Sequence, residues 1–370
     1  MISLVALLAV VCLAYANGAN DNSKGVATLL GSGTASYGRA LLWASVTTFL
    51  GSLTAVFLAE QLLKNFSGRG LVADQLVDTP VYLAAVALGA GLTVLLATRL
   101  GLPVSTTHAL VGGLVGAGYT AGSAVDLERL ANSFFVPLLF SPILALVATS
   151  LCYLTLHRLR LRLGIARQTC FCAGLEVIEA VPAVTHAVAL ERVEHLTITV
   201  GTPVTCRDRY VGRLVGIELG GLLDRLHYLS AGIVSFARGL NDTPKIAALL
   251  LILPAFGKFG CTLTVGVAMM LGGLLAARRV AELMSRKITP MNHGQGFTAN
   301  LLTGLIVIGA SKLGLPVSTT HVSCGALFGI GTITGQADVR TIAKILAAWV
   351  VTLPLAVLMG AIAFELVSRL

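Results

Sequence analysis

The nonapeptide LGLPVSTTH occurs twice in this chain, at residues 100–108 and again, 213 positions later, at residues 313–321. An identical string of this length at such a distance indicates an internal duplication. Each copy places Gly and Pro before Ser-Thr-Thr, which predicts that one helix ends and another begins. A helix start leaves backbone N–H groups without intrahelical partners at the positive end of the helix dipole, and such a position suits an anion.

The composition is that of a membrane protein. Of the 370 residues, 56% are hydrophobic and only 12% are charged, and the mean hydropathy is +0.87. Soluble domains carry roughly 25% charged residues, and the 40 glycines suit closely packed membrane helices. The net charge of +9 does not indicate nucleic acid, because the basic residues cluster in loops. We therefore expect an all-α polytopic membrane protein.

The apolar stretches divide the chain into two membrane regions and an insert. They cover about 2–33, 39–63, 80–98, 131–156, 228–254, 258–278, 296–311 and 341–367. We expect residues 1–156 to form a first transmembrane repeat, 157–225 a small insert, and 226–370 a second repeat. Short β-branched or alternating runs at 196–200, 203–206 and 213–217 predict a few β-strands in the insert.

A second duplication places ionisable residues inside the membrane. GANDNSK at 18–24 interrupts the first apolar stretch and matches GLNDTPK at 239–245, so that Asn, Asp and Lys recur 221 positions apart and the same polar break is expected in both halves. Ionisable groups at this depth are costly and mark function by default. The Asp and Lys of each copy lie on one helical face, so an internal ion pair is the structural alternative. The two interpretations are compatible.

The repeats are expected to be inverted. About five crossings each, with LGLPVSTTH as a broken or re-entrant helix, give the halves opposite orientations, as in many secondary transporters. Basic clusters place the insert and the loop near 278–287 in the cytoplasm of a plasma-membrane protein, namely Arg158, Arg160, Arg162 and Arg167, then Arg278, Arg279, Arg286 and Lys287. The cysteines show no paired or metal-binding pattern, so free thiols are expected.

The candidate site combines both duplications. The hydroxyl and ammonium donors expected to bind an anion are Ser105, Thr106, Thr107, Ser318, Thr319, Thr320, Lys24 and Lys245. The residues expected to couple a cation are Asn20, Asp21, Asn241 and Asp242. His108 and His321 follow the hydroxyl runs and are candidates for proton linkage, although a packing role fits them equally well.

At these motifs the sequence resembles the inorganic phosphate transporter (PiT) family of secondary carriers, over essentially the whole chain. The resemblance implies an inverted-repeat fold, phosphate held between the halves by the two Ser-Thr-Thr runs, and coupling to Na⁺ or H⁺. The family motif G-A-N-D-x-x-N-A has a second Asn where this chain has Lys24 and Lys245. Two Glu residues typical of Na⁺-coupled members are replaced by Thr48 and Asn300.

These departures lead to the expected function. We expect a secondary active transporter that imports phosphate. Its coupling ion is expected to be H⁺ rather than Na⁺, because a fixed ammonium group replaces an Asn oxygen at the place where a mobile Na⁺ would bind. Sulfate is the alternative substrate, because Lys engages the carboxylates that would accept a phosphate proton. A passive channel is less compatible with an inverted repeat. No nucleophile–base pair or metal cluster indicates an enzyme.

The expected partners are therefore few. They are the transported anion and the lipid bilayer, with no nucleic acid, no metal and no cofactor other than the coupling ion. A homodimer is compatible with the sequence.

Overall fold

The computed structural model describes residues 2–166, 168–180, 191–209, 211–251, 257–286 and 290–370. Most of them lie in helices. In chain order these are α1 (Ile2–Asp21), α2 (Ser23–Gly31), α3 (Tyr37–Leu58), α4 (Glu60–Asn65), α5 (Asp74–Val77), α6 (Pro80–Arg99), α7 (Thr106–Thr120), α8 (Leu127–Arg129), α9 (Val136–Arg162), α10 (Pro203–Arg209), α11 (Leu219–Ala247), α12 (Gly257–Ala276), α13 (Arg278–Arg286), α14 (His293–Lys312), α15 (Thr319–Thr334) and α16 (Val339–Val367). A π-helical segment, Leu130–Phe135, precedes α9, and a 3₁₀ turn, Ala248–Leu250, follows α11.

Six helical stretches are long and apolar enough to cross a membrane, counting the described residues only. They are Ile2–Gly31, Tyr37–Leu58, Pro80–Arg99, Leu127–Arg162, Gly257–Ala276 and Val339–Val367. Large apolar side chains such as Phe140, Leu151 and Val350 are exposed on α9 and α16, as expected for lipid-facing helices. The predicted all-α polytopic membrane fold is confirmed.

The two membrane regions form one compact unit. Residues 1–153 and 227–370 pack together, whereas residues 154–226 form a second unit. Within the first unit, α1 packs against α6 and α12, and α16 packs against α6 and α7. The large core of this unit is built mainly from α1, α6 and α7, with contributions from α11 and α12.

Glycines bring the helices of the two halves together in matching pairs. A Cβ added at any of four glycines would lie 2.0 to 2.1 Å from a backbone oxygen of the other half. The pairs are Gly18 with Met269, Gly239 with Thr48, Gly51 with Phe236, and Gly272 with Tyr15. The first two pairs correspond to each other, as do the last two, because their matching residues lie 221 positions apart in the sequence. The contact between α1 and α12 is therefore repeated in the contact between α11 and α3. The opposite orientation of the halves stays a prediction.

The second unit contains a small antiparallel sheet. Its strands are β1 (Cys170–Ala180), β2 (Glu191–Gly201) and β3 (Val211–Glu218), in the order β2-β1-β3. Strands were predicted correctly at 196–200 and 213–217, but the strand predicted at 203–206 is wrong because this run begins α10. Pro203 fits the first turn of a helix, and Thr202 and Thr205 exchange side-chain bonds with each other's backbone N–H.

One cysteine in this sheet departs from the expected free thiols. Cys172 is disulfide-bonded, whereas its neighbour Cys170 is free. The spacing of the cysteines along the chain gave no indication of this bond.

Candidate functional site

Both copies of LGLPVSTTH separate one helix from the next, as predicted. The first copy joins α6 to α7, and the second joins α14 to α15. Gly101 and Gly314 have φ angles of 72° and 71°, in the left-handed region that glycine adopts most readily. The N–H of Leu102 then bonds the carbonyl of Ala97 at 2.9 Å, which closes the end of α6. The same sequence therefore produces the same helix end and restart twice.

The serine of each copy caps the helix that follows. Ser105 Oγ accepts a hydrogen bond from the backbone N–H of His108 at 3.1 Å, and Ser318 Oγ accepts one from His321 at 3.3 Å. These are N-cap bonds, which satisfy one of the free donors of a helix start. Each serine hydroxyl still has its own proton to donate, so binding of an anion by Ser105 and Ser318 stays a prediction.

The two polar strings, GANDNSK at 18–24 and GLNDTPK at 239–245, differ in backbone structure between the halves. Asn22 interrupts the first helix between α1 and α2, although its N–H still bonds the Gly18 carbonyl at 3.1 Å. In the second half, α11 continues through Asp242 and Pro244 to Ala247, so the predicted second break is wrong. Proline removes only one backbone donor. The polar side chains find partners on neighbouring segments without unwinding of the helix.

Two asparagines of the polar strings form hydrogen bonds with the LGLPVSTTH loops. Asn20 Nδ2 donates to the carbonyl of Leu102 at 2.9 Å, and its Oδ1 accepts from the N–H of Val104 at 3.1 Å. Asn241 Nδ2 donates to the carbonyl of Val317, the counterpart of Val104, at 3.2 Å. Each loop is therefore held by the asparagine of its own half.

Each lysine pairs with the aspartate three residues before it. Lys24 Nζ lies 2.8 Å from Asp21 Oδ2, and Lys245 Nζ lies 3.5 Å from Asp242 Oδ1. The internal ion pairs predicted from the spacing are thus present in both halves. In each pair both side chains are almost completely buried.

The charged pairs meet the hydroxyl runs of the opposite half. Lys24 donates to Thr319 at 2.8 Å, and Lys245 donates to Thr107 at 2.9 Å. Both carboxylates also accept hydroxyl bonds, Asp21 from Thr106 at 3.3 Å and Thr320 at 3.4 Å, and Asp242 from Thr319 at 3.4 Å. The two duplications therefore form one cluster in which both halves take part.

This cluster is closed to solvent. No member exceeds 4% exposure, and the members are Asn17, Asn20, Asp21, Lys24, Ser105, Thr106, Thr107, Arg238, Asn241, Asp242, Lys245, Ser318, Thr319 and Thr320. Charge–charge interactions are strong in such an environment because little water screens them.

Two members of the cluster were missed by the sequence reasoning. Asn17 Nδ2 lies 3.1 Å from Asp21 Oδ2 and 3.2 Å from Asp242 Oδ2, so one amide bridges the two carboxylates. Arg238 donates to Asn17 Oδ1 at 2.7 Å. The signal was the second duplication, because extending it by one residue at its start aligns Asn17 with Arg238.

The histidines of the two copies contact each other. The rings of His108 and His321 meet edge to face with centroids 4.7 Å apart, and His321 also stacks on Trp349 at 3.9 Å. His108 Nδ1 and His321 Nε2 are buried and have no hydrogen-bond partner among the described residues. The packing role is therefore real, and a proton-linked role stays a prediction.

Comparison with known proteins decides the family. The sequence model of the "Phosphate transporter family" matches residues 17–360. The chain belongs to the phosphate transporter family. It is 28% identical to the chloroplastic inorganic phosphate transporter 2-1 of Arabidopsis thaliana, over 96% of this chain and 70% of that protein. It is also 28% identical to a Pyrococcus abyssi protein named as a phosphate permease, over 98% and 97% of the two chains.

The fold has a solved counterpart. A structure titled "The sodium-dependent phosphate transporter" aligns with a TM-score of 0.64 at 20% identity, covering 100% of this chain and 99% of the other. At this identity the likeness concerns the fold. Members of the phosphate transporter family are transporters and not enzymes, and this member is a multi-pass membrane protein.

Of the two positions singled out by the family resemblance, Thr48 bonds a member of the cluster and Asn300 bonds a residue outside it. Thr48 accepts from Arg238 at 3.2 Å, and Asn300 donates to Thr28 at 2.8 Å. Among the residues that the structure describes, no group of three His, Cys, Asp or Glu side chains could hold a metal ion.

Proposed function

We propose that the protein is a secondary carrier that imports inorganic phosphate, coupled to protons and independent of Na⁺. The observation that supports this most is the pair of buried lysines, each in contact with an aspartate of its own half and a threonine of the other. The family and the relatives reported above carry phosphate in their names, so they give no support to sulfate as the substrate.

The anion would lie between the starts of α7 and α15. Six hydroxyl groups and two ammonium groups converge there, and neutral directional donors bind an oxyanion while still allowing its release. Among the described residues, Lys24 donates to Asp21 and Thr319 only, which leaves one of its three N–H donors for a phosphate oxygen. Both halves supply these donors, so movement of one half against the other would open the site, as in alternating access.

The ammonium groups would replace a mobile coupling cation. In many Na⁺-coupled carriers the coupling ion binds beside the substrate near the bilayer midplane. Here Lys24 and Lys245 already hold a positive charge 2.8 and 3.5 Å from Asp21 and Asp242. Because a lysine cannot leave with the substrate, the energy for accumulation must come from another ion, and the proton is the simplest candidate.

The coupled proton would bind to the histidine pair or be carried by the substrate itself. Directly after the hydroxyl runs, His108 and His321 each carry one buried ring nitrogen that has no partner among the residues that the structure describes. Movement of the two helices that admitted water to these rings would change their surroundings and let an imidazole take up a proton.

The topology proposal follows from charge. We place the insert in the cytoplasm because the basic residues around 158–162 and 278–286 follow the positive-inside pattern. The Cys172 disulfide is the opposing observation, since disulfides are rare in reducing compartments. Cleavage of a protease site inserted into 181–190, in intact cells and in inverted vesicles, tests the assignment: cleavage in intact cells would contradict it.

Uptake of labelled phosphate into liposomes containing the purified protein tests the function. We expect saturable uptake that an inward proton gradient increases and that excess sulfate does not abolish. Lys24→Met should reduce it strongly, whereas Lys64→Met, at an exposed surface ion pair, should not. Uptake no greater than that of protein-free liposomes would contradict the proposal.

A further inference from the structure

An apolar groove of about 420 Å³ lies between α1 and α12. Its lining includes Val11 and Tyr15 of α1 and Leu263, Thr264, Val267 and Leu271 of α12. The groove opens on the outer surface of the helices, where Leu263 and Leu271 are 36% and 46% exposed. Thr264 Oγ1 donates to the Gly260 carbonyl of its own helix at 2.8 Å, so its hydroxyl is already engaged. The groove therefore offers a ligand mainly apolar surface.

The equivalent position in the other half is filled by a side chain of the protein. Under the 221-residue offset of the duplication, Thr264 aligns with Trp43, and Val11 aligns with Gly232. The Trp43 indole packs directly on Gly232, where an added Cβ would lie 2.6 Å from the ring. The indole also donates from Nε1 to the Tyr228 carbonyl at 2.9 Å and stacks on the Tyr228 ring at a centroid distance of 5.4 Å. The protein thus closes this place between α3 and α11 and leaves it open between α1 and α12.

The shape of the groove favours a long, thin occupant. Leu263 and Leu271 lie eight residues apart on α12, so the groove extends about 12 Å along the helix axis. The acyl chains of a bilayer run in the same direction, and the hydrocarbon of one leaflet is about 15 Å thick. A volume of about 420 Å³ is also within the range of ligand pockets, roughly 300–1,000 Å³. An acyl chain can therefore lie along the groove.

The surroundings of the groove also favour lipid. Leu4 and Leu8 lie on the same face of α1 as Val11 and Tyr15, because these residues follow one another at three- or four-residue spacing. Both leucines are 59% exposed, so the groove is continuous with an aliphatic, lipid-facing surface. Membrane helices of two protein copies approach each other closely through small residues, whereas leucines border this groove.

We propose that the groove binds an acyl chain of a bilayer phospholipid, which fills between α1 and α12 the place that the Trp43 indole fills between α3 and α11. The chain would support the helix contact in which Gly18 and Gly272 bring the two halves together. It would also contact the part of α1 that leads directly to Asn17 and Asp21 of the charged cluster. This proposal does not depend on which anion is transported.

Photo-crosslinking in liposomes tests the proposal. The full-length protein is reconstituted into phosphatidylcholine that contains a small fraction of phosphatidylcholine with a diazirine in one acyl chain. After illumination, the labelled residues are located by mass spectrometry. We expect the groove residues of α1 and α12 to be labelled several-fold more than Leu92, which is 51% exposed on α6. Unbound lipid reaches Leu92 as well, so the excess labelling reports a chain held in the groove.

Variants that exchange residues between the two halves provide matched controls. Val11→Gly/Thr264→Trp gives the groove the residues found at the filled position, so its labelling should fall several-fold, to the level of Leu92. Val11→Gly alone enlarges the groove without filling it and should retain the labelling. Trp43→Thr should create new labelling between α3 and α11, where the wild type is closed by the indole.

Thermal unfolding in detergent gives an independent measurement. A ligand that binds only the folded state stabilises that state by mass action. Added phosphatidylcholine should therefore raise the melting temperature of the wild type and of Val11→Gly by a few degrees, and that of Val11→Gly/Thr264→Trp by less. An equal rise in all three proteins would contradict the proposal.

Three crosslinking results would overturn the proposal. The first is groove labelling in the wild type that is no greater than the labelling of Leu92, a comparison that needs no variant. The second is unchanged groove labelling in Val11→Gly/Thr264→Trp. The third is a p-benzoylphenylalanine at position 264 that crosslinks to a second copy of the chain instead of to lipid, which would assign the groove to a dimer interface. None of these results concerns phosphate uptake, so the proposed function is tested separately.

Discussion

Removal of the Lys24 ammonium should destabilise the protein because it leaves a carboxylate buried without its ionic partner. The Lys24–Asp21 distance is 2.8 Å, and both side chains are 1% exposed. Breaking a buried ion pair by deleting one partner costs about 3–5 kcal/mol. Asp21 keeps hydrogen bonds from Asn17 and Thr106, so we expect Lys24→Met to lie at the lower end, about 3 kcal/mol.

The double variant Asp21→Asn/Lys24→Met distinguishes a charge effect from a packing effect. Without the carboxylate, no buried charge is left unpaired, so the double variant should recover about 2 kcal/mol of the loss. Unfolding of the purified protein in detergent, followed by near-UV circular dichroism, measures both values. Lys64→Met is the control, because Lys64 is 63% exposed and pairs with Glu60 at 3.7 Å, and its loss should not be measurable.

The reasoning would be refuted by either of two results. One is a Lys24→Met variant that is no less stable than Lys64→Met. The other is a double variant that is as unstable as Lys24→Met alone, because the loss would then come from the missing side-chain volume and not from the unpaired carboxylate.

Three further predictions concern packing, capping and proton linkage. Gly239→Ala should lower the yield and the melting temperature, because the added Cβ would lie 2.1 Å from the Thr48 carbonyl oxygen. Gly309→Ala is the control and should be tolerated, since its Cβ would meet nothing within 4 Å. Equal melting temperatures of the two variants would contradict this prediction. Ser318→Ala removes the N-cap acceptor of α15 and should cost about 1 kcal/mol in the same unfolding assay, and an unchanged stability would argue against capping. His108→Gln/His321→Gln should remove the stimulation of phosphate uptake by a proton gradient but preserve exchange at equal pH, and persistent stimulation would exclude the histidines as the proton site.

Much of the candidate site could be predicted because each of its two motifs occurs twice in the sequence. The duplicated LGLPVSTTH forms the same helix end and start in both copies, and the Gly and Ser responsible act through local backbone geometry. The Asp–Lys pairs follow from a three-residue spacing that holds in a helix whether or not the backbone is interrupted. Such local rules do not depend on the rest of the fold.

The missed features depend on contacts between distant segments. Arg238 is separated from Asn17 by 221 residues, and only the folded chain brings its guanidinium to the bridging amide. The continuity of α11 past Pro244 likewise depends on partners supplied by other segments. The run at 203–206 contains β-branched residues that favour a strand, but Pro203 starts α10 there.

The replacement of a coupling cation by lysine is tested most directly by phosphate uptake with Na⁺ exchanged for choline, in the wild type and in Lys24→Asn/Lys245→Asn. The variant restores the asparagines of the family motif in both halves. We expect the wild type to take up phosphate equally in both media, and the variant to lose uptake in choline and regain part of it in Na⁺. Collapse of wild-type uptake in choline would contradict the proposal that Lys24 and Lys245 stand in for Na⁺.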